Sequence, residues 1–556
     1  MNKKWWQNEV VYQIYPKSFF DSNNDGIGDI YGITQKLDYL KELGITMIWI
    51  CPIYQSPMDD NGYDISDYEN IHPDFGTKED LEQLILEAKK RNIKLIMDLV
   101  INHTSDEHFW FQQALKDSKS PYRNYYIFKE GKDGHPPTNW RSVFGGSTWE
   151  KVPHEDNLYY FHSFSKKQPD LNWENPQMRQ ELYAMINRWL EKGIAGFRVD
   201  AINFIKKDQR FLDGDIDGSD QLSSCFDYCR NIPGLEVFFD EMRKETFDKY
   251  DCMTVSEAVG VDYPNVHSFI GEHGCFSMMF DFNYTNIDVE NEDVFKPLNW
   301  SVKEYKELLF KSQTEIQKLG WSAPFLENHD QPRCVNKLIK DKKYHDYYGP
   351  TMLATMYFYL RGTPFIYQGQ ELGMLNFKRT SIEEFDDINA HAQYQRALEE
   401  GFRKEEAIEF LNNRSRDNSR TPFPWKDDLY GGFSKHQPWI LMNENYHKIN
   451  AMAQVQNPKS VYAYYQKMIT IRQQSEYHDT LVYGTFEPLE SDDEIICYKR
   501  CYAKQTVVVI CNFSSQKKSI KMRSSIKKII LNNYRDIWFK ECHLILNPYQ
   551  SLVIEL

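Results

Sequence analysis

Four apolar runs in this 556-residue chain end in side chains able to move protons or hold charge. They close on Asp98-Leu99-Val100-Ile101-Asn102-His103, on Gly196-Phe197-Arg198-Val199-Asp200, on Thr254-Val255-Ser256-Glu257 and on Glu327-Asn328-His329-Asp330. Any one of these endings reads most simply as a strand cap or a salt bridge. Four at equivalent positions are hard to assign to chance, and carboxylates, an arginine and histidines gathered at strand ends point to acid–base chemistry. Arg198 and Asp200 lie two residues apart, so on an extended strand both side chains leave the same face. A permanent cation beside the Asp200 carboxylate should keep it ionised.

The elements that must position these groups are short β-branched and aliphatic runs separated by polar helical segments, the pattern of buried parallel strands with crossover helices. Eight are legible, at 10–15, 45–50, 94–100, 196–201, 253–257, 276–282, 323–327 and 364–367. Between the second and third, Leu81, Leu84, Ile85 and Ala88 sit at the i, i+3, i+4, i+7 positions of an amphipathic helix over 78–92. Eight repeats of this kind predict a closed (β/α)8 TIM barrel, whose active site lies at the carboxyl ends of its strands.

The barrel is expected in two parts, 1–103 and 175–477. Residues 104–174, rich in Gly, Pro, Tyr and Trp, carry no barrel repeat and read as a domain inserted after the third strand. A second insertion, 373–455, follows the last strand and holds Thr421-Pro422-Phe423-Pro424-Trp425. From 478 to 556, strand-like runs at 495–499, 506–511, 527–531 and 551–556 follow one another without helices, which predicts a C-terminal antiparallel β-sandwich.

Composition narrows the partners. A net charge of −15 with no compact basic face argues against nucleic acid and anionic membranes and favours neutral or cationic ligands. The 36 Tyr, 34 Phe and 13 Trp are enough for sugar-stacking surfaces or for a large aromatic core, and composition leaves both open. Ten scattered cysteines have neither zinc-site spacing nor the density of a disulfide scaffold, so reduced buried thiols are expected. The start lacks a signal-peptide run, and no stretch reaches the roughly 18 apolar residues of a membrane span. A cytoplasmic protein, monomeric or a weak homo-oligomer, is expected.

In their order and spacing the four chemical segments resemble the signature regions of the α-amylase superfamily of glycoside hydrolases, in its oligo-1,6-glucosidase branch. Asp21-Ser22-Asn23-Asn24-Asp25-Gly26-Ile27-Gly28-Asp29, Asn61-Gly62-Tyr63-Asp64-Ile65-Ser66-Asp67-Tyr68, Gln168-Pro169-Asp170-Leu171-Asn172-Trp173 and Gly369-Gln370-Glu371 extend the resemblance over essentially the whole chain. It implies a retaining, exo-acting α-glucosidase that takes terminal glucose from short oligosaccharides. Asp200 matches the nucleophile, Glu257 the general acid/base and Asp330 the third carboxylate, which would hold the sugar's 2- and 3-hydroxyls. Retention requires the first two about 5–5.5 Å apart, one ionised and one protonated. His103 and His329 resemble histidines that hydrogen-bond the same glucose. Asp60 and Arg416 match a pair gripping its 4-hydroxyl, Tyr63, Phe144 and Phe164 match aromatic walls, and Gln168 matches a polar liner.

Asp21, Asn23, Asp25 and Asp29 with the Ile27 carbonyl have the alternating oxygens of an EF-hand-like loop, although Gly32 stands where its last glutamate would be. The resemblance implies a structural Ca²⁺ there and no organic cofactor. Ala201 follows the nucleophile, where α-1,6-restricted members carry Val and those accepting α-1,4 links or sucrose carry Ala or Thr. Linkage is therefore open, with sucrose and trehalose 6-phosphate as rival substrates. No Arg-x-Asp-Arg motif of the sucrose isomerases is present, which favours hydrolysis. A non-catalytic transporter heavy chain of this superfamily would have lost the carboxylates that this chain keeps.

Overall fold

The computed structural model describes residues 3–290, 293–522 and 524–556; Met1 and Asn2, the first of the expected barrel segment, lie outside them. Seven parallel strands form one sheet: β1 (Val11–Ile14), β2 (Met47–Ile50), β3 (Lys94–Val100), β4 (Gly196–Asp200), β5 (Met253–Glu257), β6 (Met278–Phe280) and β7 (Phe365–Tyr367). Their order is β6-β5-β4-β3-β2-β1-β7. The run expected as a strand at 323–327 is not a regular strand, yet it closes the ring between β6 and β7. The Ala323 N–H donates to Met279 O at 3.0 Å on one side, and on the other Thr363 and Phe365 donate to Ser322 O and Pro324 O at 3.1 and 2.9 Å. Pro324 has no N–H to give, which interrupts the ladder at this point.

Side chains alternate along each strand. Val11, Met47, Trp49, Ile96, Val255 and Phe280 pack together inside the barrel, whereas Tyr12, Ile48, Met97, Leu99, Phe197 and Val199 pack outward in the larger core with the helices. Carried to the strand ends, the inward set continues into Asp98, Arg198, Asp200 and Glu257. Arg198 pairs in register with Asp98 across β3 and β4. On the other side of β4, Gly196 permits the close approach of β5: its φ is +145°, and a Cβ there would stand 1.7 Å from Met253 O.

The helix expected over 78–92 runs Lys78–Lys90, with Leu81, Leu84 and Ala88 buried and Thr77 and Asp80 closing a capping box at its start. Residues 104–174 hold a helix, Phe109–Lys116, and a three-stranded antiparallel sheet of Phe128–Glu130, Trp149–Lys151 and Leu158–Phe161. This segment is tied to the barrel by an aromatic cluster that joins Trp140, Trp149 and Phe161 to Phe204 and Phe211. In the second insertion, helices Ile388–Glu399 and Lys404–Arg414 pack on the strand Asp293–Pro297.

At the C-terminal end, His478–Tyr483 is a helix, and strands begin at Thr485. A five-stranded and a three-stranded antiparallel sheet follow, with Cys497, Val508 and Ile510 of the first meeting Leu544 and Leu546 of the second. The strands Lys518–Lys521 and Trp538–Lys540 were not legible in sequence because they are short and carry lysine or exposed aromatics, and His543–Leu546 because it is only four residues long.

Candidate active site

One buried guanidinium organises the carboxyl ends of β3, β4 and β5. Arg198 Nη1 donates to Asp98 Oδ1 at 2.6 Å and to Asp200 Oδ1 at 2.8 Å, while Nη2 donates to Glu257 Oε2 at 2.5 Å. The Ala201 N–H adds a 3.1 Å bond to the same Glu257 oxygen. Asp200 and Glu257 thus lie within the span of one side chain and line one cavity. Arg198 stands beside Asp200 as expected, and Asp98 and Glu257 share the same guanidinium.

Burial raises the Asp200 carboxyl well above the ordinary carboxylate range; Arg198 opposes this, and the Glu257, Asp98 and Asp330 charges add to it. Asp98, fully buried, is pushed up to about 6 by burial against the pull of Arg198 and of hydrogen bonds including that from Trp49. Its Oδ2 also accepts from Trp49 Nε1 and from the Tyr63 hydroxyl, both at 3.0 Å.

The closed end of the cavity is ionic. Arg416 Nη2 lies 2.9 Å from Asp60 Oδ1, and Gln168 Nε2 donates to Asp60 Oδ2 at 3.1 Å. The same guanidinium reaches Asp387 at 2.5 Å and Asp330 at 3.4 Å. Arg420 Nη2 donates to Asp330 Oδ1 at 2.8 Å. Burial alone would raise Asp330, but His329, Arg416, Arg420 and Arg198 outweigh it and hold the carboxyl well below its ordinary value.

Both histidines are neutral because they are buried. His103 is pushed down to about 4, and its Nε2–H donates to the Tyr63 carbonyl at 3.1 Å. His329 is lowered further by burial and by the arginines, against Asp330. Gln13 Nε2 donates to His329 Nδ1 at 2.8 Å, which leaves the proton on Nε2. That nitrogen is buried without a hydrogen-bond partner although Asp330 Oδ2 stands 3.0 Å away, so its N–H is a donor left for a ligand. Tyr63 stacks on the His329 ring, with centroids 5.1 Å apart and planes 10° apart. Phe164 packs edge-on against Phe144 at 5.7 Å and tilted against His103 at 5.3 Å.

Of the residues singled out from sequence, Asp60, Tyr63, His103, Phe144, Phe164, Asp200, Glu257, Asp330 and Arg416 line this cavity. Gln168, Arg198 and His329 stand behind the wall and act on the liners. Sequence reasoning passed over Asp98, Asp387 and Arg420. The spacing Arg416-x-x-x-Arg420 was visible, but nothing local shows that both arginines converge on Asp330.

The loop 21–29 lies away from this cavity in the hydrogen-bond network. Asp21 accepts from the N–H groups of Asn23, Asn24 and Gly26 at 3.1, 2.6 and 2.8 Å, and Asp25 accepts from Ile27 at 2.8 Å. Asp29 caps the helix Ile30–Gln35 through Gly32 at 2.6 Å. Gly26 turns the chain at φ +95°, the place where EF-hand loops need glycine. Among the described residues no group of three or more His, Cys, Asp or Glu side chains converges as a metal site. The donors of the loop are oxygens alone, two carboxylates, an amide, a carbonyl and the capping Asp29, which suits a hard cation.

Comparison with known proteins agrees with this architecture. The chain is 44% identical, over 100% of both sequences, to an oligo-1,6-glucosidase of Parageobacillus thermoglucosidasius. It superposes with a TM-score of 0.91 on the crystal structure of a trehalose-6-phosphate hydrolase of Bacillus licheniformis, at 41% identity and 100% coverage of each chain. It superposes at 0.93 on the isomaltulose synthase of Protaminobacter rubrum, at 40% identity and with full coverage. The family described as the α-amylase catalytic domain matches residues 13–484. The chain belongs to the α-amylase family of glycoside hydrolases.

Proposed function

We propose that this chain is a retaining, exo-acting α-glucosidase that releases terminal α-linked glucose from short oligosaccharides. The single observation that carries the reading is that Arg198 joins Asp200 and Glu257 in one cavity, closed at its far end by Asp60 and Arg416. Asp200 attacks the anomeric carbon as Glu257 passes its proton to the departing oxygen, so the sugar becomes covalently attached as the glycosidic bond breaks. Glu257 then takes a proton from water, whose oxygen attacks C1 and frees Asp200. Asp330 and the His329 Nε2–H hold hydroxyls of the same ring, contacts that strengthen as it flattens. A longer chain pushed against the floor would strip the Asp60–Arg416 pair of its partners, which supports exo action.

The test is glucose release from p-nitrophenyl α-glucoside. Asp200→Asn should reduce it by at least about 10⁴-fold while the fold survives; rates close to wild type would refute the nucleophile. Ala201 lines the cavity beside Asp200, which supports acceptance of links other than α-1,6, read by rates on isomaltose, maltose and sucrose side by side.

Asp21, Asn23, Asp25, the Ile27 carbonyl and Asp29 would hold a structural Ca²⁺, which supplies charge to the turn after β1 and takes no part in bond cleavage. Removal by EGTA should lower the melting temperature and leave the activity of folded protein unchanged; metal analysis that finds no Ca²⁺ in purified protein would end that assignment. All ten cysteines are unpaired, which supports a reducing, cytoplasmic setting. No described helix is long and apolar enough to cross a membrane.

A further inference from the structure

The floor of the cavity stands on a strained turn. Its backbone takes left-handed φ values at Met58 (+66°), Asn61 (+49°) and Gly62 (+103°), a region that costs a residue with a bulky side chain. Such a turn persists only where its surroundings over-determine it. One buried side chain does so here: Asp64 Oδ2 accepts from the Asp59 N–H at 2.8 Å, and Oδ1 accepts from the Asp60 N–H at 3.1 Å and the Ser56 hydroxyl at 3.0 Å. Asp64 has no exposed surface and lines no part of the cavity. Burial pushes its carboxyl up to about 6 against the pull of the two N–H groups, so at neutral pH it is ionised and accepts on both oxygens. A second tie runs outward, where Ser165 Oγ donates to Asp59 Oδ2 at 2.6 Å and joins the turn to the segment that carries Phe164 and Gln168. Both ties fix the backbone that delivers Asp60 to Arg416 at 2.9 Å and to Gln168 at 3.1 Å. A displacement of 1 Å or so would break those contacts, and misplacement on that scale is costly in a site that works by orientation.

We propose that Asp64 is a positioning residue for the cavity floor, with Ser165 as its outer support: the two hold the strained turn so that Asp60 meets the far end of the terminal sugar. A pyranose carries its 4-hydroxyl across the ring from C1, so a glucose with C1 at Asp200 turns that hydroxyl towards the Asp60–Arg416 end. Asp64 therefore sets how strongly the site prefers sugars that bear the 4-hydroxyl, without touching the sugar itself. This rests on the α-glucosidase reading above. Asp64→Asn keeps the size of the side chain and exchanges an acceptor for an amide that faces a backbone N–H; Ser165→Ala cuts the outer tie alone.

The experiment compares kcat/KM for p-nitrophenyl α-glucoside and its 4-deoxy analogue, with melting temperatures to show that each variant is folded. Wild type should prefer the glucoside by at least about 100-fold. Asp64→Asn should lose about tenfold on the glucoside and Ser165→Ala about fivefold, while both stay within about twofold of wild type on the 4-deoxy sugar. A general disturbance of the fold would lower both substrates alike, so equal losses on the two sugars overturn the proposal. Glucoside rates unchanged in both variants, or a wild type indifferent to the 4-hydroxyl, overturn it as well. Should Asp64→Asn not fold, the Ser165→Ala pair of rates decides by the same criteria. Failure of wild type to cleave the aryl glucoside overturns the α-glucosidase reading instead, and the same comparison by calorimetry of glucose and 4-deoxyglucose binding then judges Asp64.

Discussion

A guanidinium that touches three carboxyls cannot favour one of them by contact alone. Asp98, Asp200 and Glu257 with Arg198 would carry an excess of two negative charges if all were ionised, so burial makes the cluster retain a proton. Retaining hydrolysis needs one such proton on the leaving-group side. Asp98 raises Asp200 through its charge. Asp98→Asn removes that charge, lowers the Asp200 carboxyl and keeps the nucleophile ionised to lower pH. The acidic limb of the kcat/KM profile should therefore move to lower pH, and a limb that stays or rises would disprove the coupling. Glu257→Gln separates the other role: its loss should be small on aryl glucosides with acidic leaving groups and large on isomaltose. Equal losses on both would remove Glu257 from proton transfer.

At the scale of the element, the turn after β7 shows how the barrel top is fixed. Gly369 adopts φ +85°, and a Cβ there would meet Met374 Sδ at 2.1 Å, so the chain turns tightly and brings Glu371 under the sheet. Its carboxylate accepts from the hydroxyls of Tyr12 and Tyr39 at 2.9 and 2.7 Å and from the Gly369 N–H at 2.9 Å. Burial still outweighs these donors and raises Glu371 from 4.5 to about 7. An acid whose folded value is raised favours the fold below its unfolded value, and that contribution is lost as pH rises through the folded value. The loss runs from about pH 4.5 to 7 and is on the order of 3 kcal/mol. Glu371→Gln cannot ionise, so the drop in melting temperature between pH 5 and 7.5 should shrink; an unchanged difference would show that other groups govern it.

For the whole molecule, the C-terminal sheets are fastened to the barrel by a buried arginine. Arg500 donates to the carbonyls of Tyr359 and Leu481 at 2.7 and 2.8 Å, and to those of Val482 and Gly484 at 3.1 and 2.7 Å. Burial, with Arg361 and Arg472 nearby, lowers it to about 9. Arg500→Met leaves those carbonyls without donors and should cost at least about 3 kcal/mol. Calorimetry should find an earlier melting transition, while kcat/KM at 25 °C stays near wild type because Arg500 bonds the carbonyls of Tyr359, Leu481, Val482 and Gly484, none of which lines the catalytic cavity. A melting temperature equal to wild type would mean that water replaces the guanidinium.

The repeated apolar runs, the amphipathic helix found at Lys78–Lys90 and the shared face of Arg198 and Asp200 were legible from residue order, because strand and helix periods are local properties. The seventh run was legible as apolar but not as an interrupted ladder, since Pro324 acts only through neighbours on both sides. What order along the chain could not decide is partnership over long separations. Asp60 meets Arg416, Asp330 meets Arg420, and Asp387 completes the floor across some 30 to 360 positions. Charge sharing and closure depend on distances through space. Only the closed barrel and its insertions bring those groups together.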